Sequence, residues 1–229
     1  MDRPFVFINV AATADGKIDT YARRGATISS VRDKERVDRL RADSDAIMVG
    51  GRTLHGDDPK LTVKSEALRL ERRRNGLSEN PMKAAVATRL DLKAECNFLT
   101  AGPARIMLFT TLQTPQADVG RLEAAGAEVH VLGDSRVDLP AAVCLLKEQG
   151  VQRLMVEGGA TLNFEMLRLN LVDELMIFVA PVIFGGEAAP TLAGGTGLAA
   201  EAEIKLKLLT SEQWEDGGIL MHYRVQPGN

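Results

Sequence analysis

The residues able to do chemistry gather in three places, each just past a short apolar run. The most informative is Glu157-Gly158-Gly159-Ala160-Thr161-Leu162, which follows Leu154-Met155-Val156. The apolar run predicts a strand, and the glycine pair stops it. From Leu162 the apolar spacing changes, with Leu162, Met166 and Leu169 on one helical face. Thr161 or Asn163 is placed to cap that helix. A glycine pair opening a helix leaves backbone N–H groups bare at the positive end of the helix dipole, so phosphate is a natural guest. An ordinary β-to-α turn would read the same way. The second place is Asn9-Val-Ala-Ala-Thr-Ala-Asp-Gly-Lys17, where Asn9, Thr13, Asp15 and Lys17 put polar groups after the strand Phe5 to Val10. Turn chemistry at Asp15-Gly16 is the competing explanation. The third is Gly50-Gly-Arg-Thr-Leu-His-Gly-Asp-Asp-Pro-Lys-Leu-Thr-Val-Lys64, following the apolar run Ala46 to Val49. Here Thr53 is placed to cap a short helical turn and Asp57-Asp58-Pro59 to set a rigid one. No third carboxylate or histidine joins Asp57 and Asp58 at ligand spacing, so no metal is expected. His55 alone is weak evidence for a ligand or a base.

These loops need elements to hold them. Ser29-Ser30 offers a cap for a basic helix over Val31 to Ala42, with Val31, Val37 and Leu40 inward and Arg41 at its end. Further strands are predicted at Ala84 to Thr88, Arg105 to Thr110, Glu128 to Leu132 and Arg153 to Glu157, with helices at Gln116 to Gly126 and Leu139 to Gln149. Thr88-Arg89 after a strand could hold a ribose phosphate. Ser65 to Asn80 reads as an exposed, charged helix and loop, with Arg72, Arg73 and Arg74 solvated. The strand–helix alternation predicts an α/β protein with a mostly parallel central sheet. After Leu175 the helices stop. Leu175 to Ile183, Glu203 to Leu209 and Ile219 to Val225 then predict antiparallel strands on a mixed sheet. Gly195 to Ala200 fits G-x-G-x-x-A, but no βαβ unit follows, so it is no dinucleotide fingerprint.

Bulk composition narrows the classes. A chain of 229 residues, 45% of them hydrophobic, can build a single domain, 1–229, with a proper core. A net charge of −3 and 4% aromatic content argue against nucleic acid and membrane surfaces as partners. Cys96 and Cys144 form neither a disulfide framework nor a zinc site and are expected buried in a reducing compartment. No signal peptide or membrane span is evident, so a cytoplasmic location is expected.

The three loop stretches, with L-V-D-E-L and A-P-V-I-F-G-G after the last, together resemble the pyrimidine reductase of riboflavin biosynthesis, which also forms the C-terminal half of the bacterial bifunctional deaminase/reductase. The similarity covers nearly the whole chain in order. It implies a dihydrofolate-reductase-like fold with helices on both faces of the sheet, NADPH as hydride donor and a homodimer. The substrate it implies is a ribosylaminopyrimidine 5′-phosphate whose ribosyl group becomes ribityl. Thr53, Asp57, Thr88, Arg89, Gly158, Gly159, Ala160, Thr161 and Leu162 fall on cofactor positions of the family. Arg41, Leu61, Lys64 and Glu157 fall on substrate positions, and Asn9, Asp15 and Lys17 line the same mouth. No catalytic acid is assigned. The sequence departs from the bacterial pattern at Lys64, commonly arginine, at Asp38, commonly histidine, and at Thr27, near a common tryptophan. It lacks the H-x-E and P-C-x-x-C deaminase signature. A stand-alone reductase of archaeal type acts before deamination, on the 2,5-diamino-pyrimidinone. The alternatives are the deaminated 5-amino-uracil as substrate, a free pterin, or a non-catalytic NADP-binding domain.

Overall fold

The computed structural model describes residues 2–227. In chain order its elements are β1 (Phe5–Thr13), α1 (Val31–Ala42), β2 (Ala46–Gly50), α2 (Gly51–Asp57), α3 (Glu66–Arg74), β3 (Met82–Val86), α4 (Asn97–Thr100) and β4 (Ile106–Thr110). There follow α5 (Gln116–Ala124), β5 (Glu128–Val131), α6 (Leu139–Glu148), β6 (Arg153–Val156), α7 (Ala160–Arg168), β7 (Glu174–Ala180), β8 (Leu206–Gln213) and β9 (Ile219–Val225). The chain divides into two compact units. One holds Arg36–Met155 with the N-terminal residues up to Pro4. The other holds Phe5–Glu35 and the chain from Val156 onward.

In the first unit the strand order is β5-β4-β3-β2-β6. β2 to β5 pair in parallel, Ala46 opposite Met82, Lys83 opposite Ile106 and Met107 opposite Glu128. β2 and β4 are buried at every position, which is the mark of parallel strands covered on both faces. In the second unit the order is β1-β7-β9-β8. β1 runs parallel to β7, from Phe7 opposite Glu174 to Thr13 opposite Ala180. β7, β9 and β8 pair antiparallel, with a bulge near Leu208. The mixed, mostly parallel arrangement with antiparallel C-terminal strands is the one the alternation predicted.

Several boundaries differ for physical reasons. β3 starts at Met82 rather than Ala84 because Lys83 fits a strand interior: its amine donates to Phe98 O at 2.8 Å and Ala101 O at 2.6 Å. Glycines, not hydroxyls, cap α2 and α7, at Gly50 and Gly159, so Thr53, Thr161 and Asn163 lie inside the helices. Val31 opens α1 exposed rather than inward. Arg72 is not solvated: it is buried, donating from Nε to Ser78 O and from Nη1 to Ala42 O and Ser44 O. Both cysteines are free and half-buried rather than buried. β7 ends at Ala180, leaving Val182, Ile183 and Phe184 exposed in the turn beyond it.

Candidate functional site

In the first unit the candidate residues fall beyond the carboxyl ends of β2 and β3, where parallel sheets place ligands. Thr53 is half-buried on α2, and Asp57 is exposed at its end. The turn between β2 and α2 needs Gly51, since a Cβ there would sit 2.9 Å from Ala87 Cβ. Thr88 and Arg89 are exposed just after β3. The Thr88 carbonyl accepts from Thr111 Oγ1 at 2.7 Å, and Leu90 N donates to Thr114 Oγ1 at 3.0 Å. Asp58, left-handed at φ 43°, closes α2 and accepts from Asn97 N, Asn97 Nδ2 and Phe98 N at 2.9 Å each. Burial raises its carboxyl's affinity for protons, but these hydrogen bonds outweigh burial and hold it below the usual range.

The same unit brings Arg41, Leu61 and Lys64 together. Arg41 Nη1 donates to Thr62 O at 3.1 Å. Asp38, one turn earlier on α1, accepts from Lys64 N at 2.6 Å and Ser65 N at 2.7 Å. These bonds fix the loop against the end of α1 and leave the Lys64 side chain exposed. Leu61 has φ 47° and a side chain only 1% exposed, so its backbone is the part that can meet a ligand.

In the second unit Glu157 is half-buried immediately after β6, and Gly158, Gly159 and Ala160 turn into α7. Gly158 has φ 92°, a conformation that side chains rarely adopt, and the Gly158–Gly159 peptide is cis. Among the described residues no side chain caps α7, and its first turn carries no acid. The turn therefore has the features of an anion site: an uncapped helix N-terminus with no acid in its first turn, opened by a glycine pair that lets a ligand approach the backbone. Thr161 is exposed, while Leu162 is buried and can offer only its backbone. Behind the turn, buried Asn163 donates from Nδ2 to Leu192 O at 2.9 Å, and its Oδ1 has no hydrogen-bond partner among the described residues. Such an orphaned acceptor would be met by a donor on a bound group.

Asn9 is buried on β1. Asp15 and Lys17 serve the turn itself. Thr13 Oγ1 donates to Asp15 Oδ1 at 2.5 Å and accepts from Lys17 N at 2.9 Å. Asp15 also accepts from Phe184 N and Gly185 N, and Lys17 Nζ donates to Ala189 O at 3.2 Å. The Thr13 hydroxyl, ahead of the two amides, holds the Asp15 carboxyl below its ordinary value. The sequence singled out Asp38 only as a departure from a common histidine, Asn163 only as a candidate cap and His55 only as weak evidence for a ligand or base, and gave none of them the contacts seen here. Asp38 carried one usable signal, its i, i+3 spacing to Arg41 on the helix. Among the described residues no group of three or more His, Cys, Asp or Glu could hold a metal, and no helix is long and apolar enough to cross a membrane.

The fold is also that of a pyrimidine reductase-like protein from Corynebacterium diphtheriae, matched at TM-score 0.82 and 19% identity over 98% of this chain and 92% of that one. The family model described as RibD C-terminal domain matches residues 4–220. The 2,5-diamino-6-ribosylamino-4(3H)-pyrimidinone 5′-phosphate reductase of Archaeoglobus fulgidus is 42% identical, covering 89% of this chain and 92% of that protein. The protein of the same name from Methanothermobacter thermautotrophicus is 39% identical, covering 91% and 93%. Fold, loops and relatives define an α/β oxidoreductase. The chain belongs to the RibD C-terminal domain family, the reductases of riboflavin biosynthesis.

Proposed function

We propose that this protein is the NADPH-dependent reductase that converts the ribosyl group of 2,5-diamino-6-ribosylamino-4(3H)-pyrimidinone 5′-phosphate to ribityl, before deamination. The observation that carries the reading is the 42% identity to the Archaeoglobus reductase over nearly the full length of both chains. When bound, the nicotinamide supplies the hydride that reduces C1′ of the opened ribose. The chain's own residues bind, orient and exclude water.

Thr53, Asp57, Thr88 and Arg89 are assigned to the cofactor, with the Gly158-Gly159 turn and Ala160 to Leu162. The turn's uncapped helix end and missing side chains suit a pyrophosphate or phosphate. Arg41, Leu61, Lys64 and Glu157 are assigned to the substrate, with Asn9, Asp15 and Lys17 shaping its mouth. Arg41 at the end of α1 reaches the Thr62 carbonyl of the loop that carries Lys64 and that Asp38 holds, and the two cations supply the positive charge a 5′-phosphate needs. Lys64 meets it as a point charge, without the two-pronged geometry of arginine. The protein acts as a single reductase domain, a homodimer, in the cytoplasm.

NADPH loss by the purified protein, with the diamino-pyrimidinone and amino-uracil phosphates in parallel, tests this reading. Fast loss with the first alone is expected. Loss with the second alone would move the enzyme after deamination, and NADPH binding without turnover of either would leave a non-catalytic domain.

A further inference from the structure

His55 is not among the assigned cofactor residues, yet it touches both first-unit segments that carry them. Its Nδ1 lies 2.7 Å from Gly51 O, and the Asp91 N–H donates to its Nε2 across 3.3 Å. The two bonds coexist when Nδ1 carries the proton and Nε2 is a bare acceptor. The first bond is local to α2. The second ties α2, with Thr53 and Asp57, to the segment running from Thr88 to Asp91. That segment is already held from the other side, by Thr111 on the Thr88 carbonyl and by Thr114 on Leu90 N. Leu90 is fully buried, so the segment is anchored in the core while Arg89 beside it stays exposed. His55 supplies the tie that sets this anchored segment against α2.

We propose that His55 is a positioning residue that sets the preference for the phosphorylated coenzyme, by holding Thr88 and Arg89 in register with Thr53 and Asp57. The proposal rests on the NADPH reading above. A guanidinium gains most from a phosphate when its backbone is ordered beforehand, because ordering it during binding consumes part of the gain. NADH lacks the 2′-phosphate and draws nothing from Arg89 there. Loosening the segment therefore weakens NADPH binding and leaves NADH binding nearly unchanged.

The test compares the Kd values of NADPH and NADH, by coenzyme fluorescence, for the wild type and for His55→Ala, His55→Asn and His55→Gln. A glutamine amide oxygen lies near the place of Nε2 and can accept from Asp91 N. Asparagine reaches only as far as Nδ1 and keeps the bond within α2. The alanine and asparagine variants should raise the NADPH Kd about five- to tenfold and change the NADH Kd less than about twofold. Glutamine should restore NADPH affinity. Amide exchange over residues 88–91, measured without coenzyme, should quicken in the alanine and asparagine variants alone. Equal losses for both coenzymes, matching behaviour of asparagine and glutamine, or an unchanged NADPH Kd in His55→Ala would each overturn the proposal. Wild-type protein that binds no NADPH would overturn the coenzyme reading and this proposal with it.

Discussion

Two buried cations show what single residues contribute here. Arg72 is 4% exposed, and its guanidinium collects the carbonyls of Ala42, Ser44 and Ser78 at 2.7–2.8 Å. Burial lowers its proton affinity, and the nearby Asp45 and Asp43 work against that. Arg72→Ala strands the carbonyls of Ala42 and Ser44 at the end of α1 and of Ser78 beyond α3, and should cost about 3 kcal/mol. Thermal unfolding should then begin roughly 6–12 °C lower, while Arg74→Ala, on the exposed side, should be nearly silent. Lys83 makes a different prediction. Burial pushes its amine down from 10.5 to about 8, with Cys96 and Asp58 opposing. A neutral amine still has the hydrogens to donate to Phe98 O and Ala101 O. Between pH 8 and 10.5 the unfolded chain holds a proton at this position that the folded one has released, so stability rises with pH through that window. Urea unfolding at steps across it should show the rise in the wild type and lose it in Lys83→Met. A flat wild-type profile would mean the amine is charged when folded. Neither role was legible in the sequence. Arg72, Arg73 and Arg74 read alike there, and only the carbonyl cluster that tertiary structure assembles distinguishes the first. Lys83 sat one residue outside the predicted strand, Ala84 to Thr88, and the carbonyls that let its amine be buried come from a segment 15 to 18 residues further on.

At the scale of elements, glycine pairs after apolar runs were readable as strand-to-helix turns, and both such turns exist, at Gly50-Gly51 and Gly158-Gly159. What the sequence could not tell is that the two pairs are needed for different reasons. At Gly51 the constraint is space, a Cβ meeting Ala87 Cβ at 2.9 Å. At Gly158 the nearest atom is Asn163 Nδ2 at 3.9 Å, so there is room, and the constraint is the backbone at φ 92°. Gly51→Ala should cost about 1–3 kcal/mol as overpacking, and Gly158→Ala about 1–2 kcal/mol as conformational strain. The two are separable in a double-mutant cycle. Ala87→Gly should shrink the Gly51→Ala loss and add independently to Gly158→Ala, as chemical denaturation would read. Equal relief of both by Ala87→Gly would sink the distinction. The Asp38 hold on Lys64 and Ser65 was also out of reach, because it joins positions 26 and 27 residues apart. Helix α1 itself was legible to the residue, since Ser30 Oγ accepts from Asp33 N as a capping serine does.

At the scale of the whole molecule the alternation of strands and helices gave away the class of fold, because parallel strands need crossover helices and those carry their own period. It could not reveal that the second unit is built from two distant pieces of chain. β1 and β7 pair with Ala11 opposite Phe178, and Asp173 Oδ2 accepts from Val6 N across a separation of 167 residues. Around this junction sits a cluster of Phe178, Ala180 and Trp214, with Ala11, Ile28 and Leu220 packed on it. Trp214 is the chain's one tryptophan, 4% exposed and 5.1 Å from the Phe178 ring. Its fluorescence therefore reports on the second unit alone. By contrast, β2, β3, β4 and β5 of the first unit each pair with a strand close in sequence, through crossovers that close early. Trp214 cannot be enclosed until β1 has met β7, which requires closing almost the entire intervening chain. Loop closure of that length is slow relative to helix formation. In refolding from urea, the far-UV circular dichroism should recover first and the tryptophan signal should follow in a later phase. Superimposable traces at the two wavelengths would mean that the distant pieces meet as early as the local ones, and that topology does not order the folding of this chain.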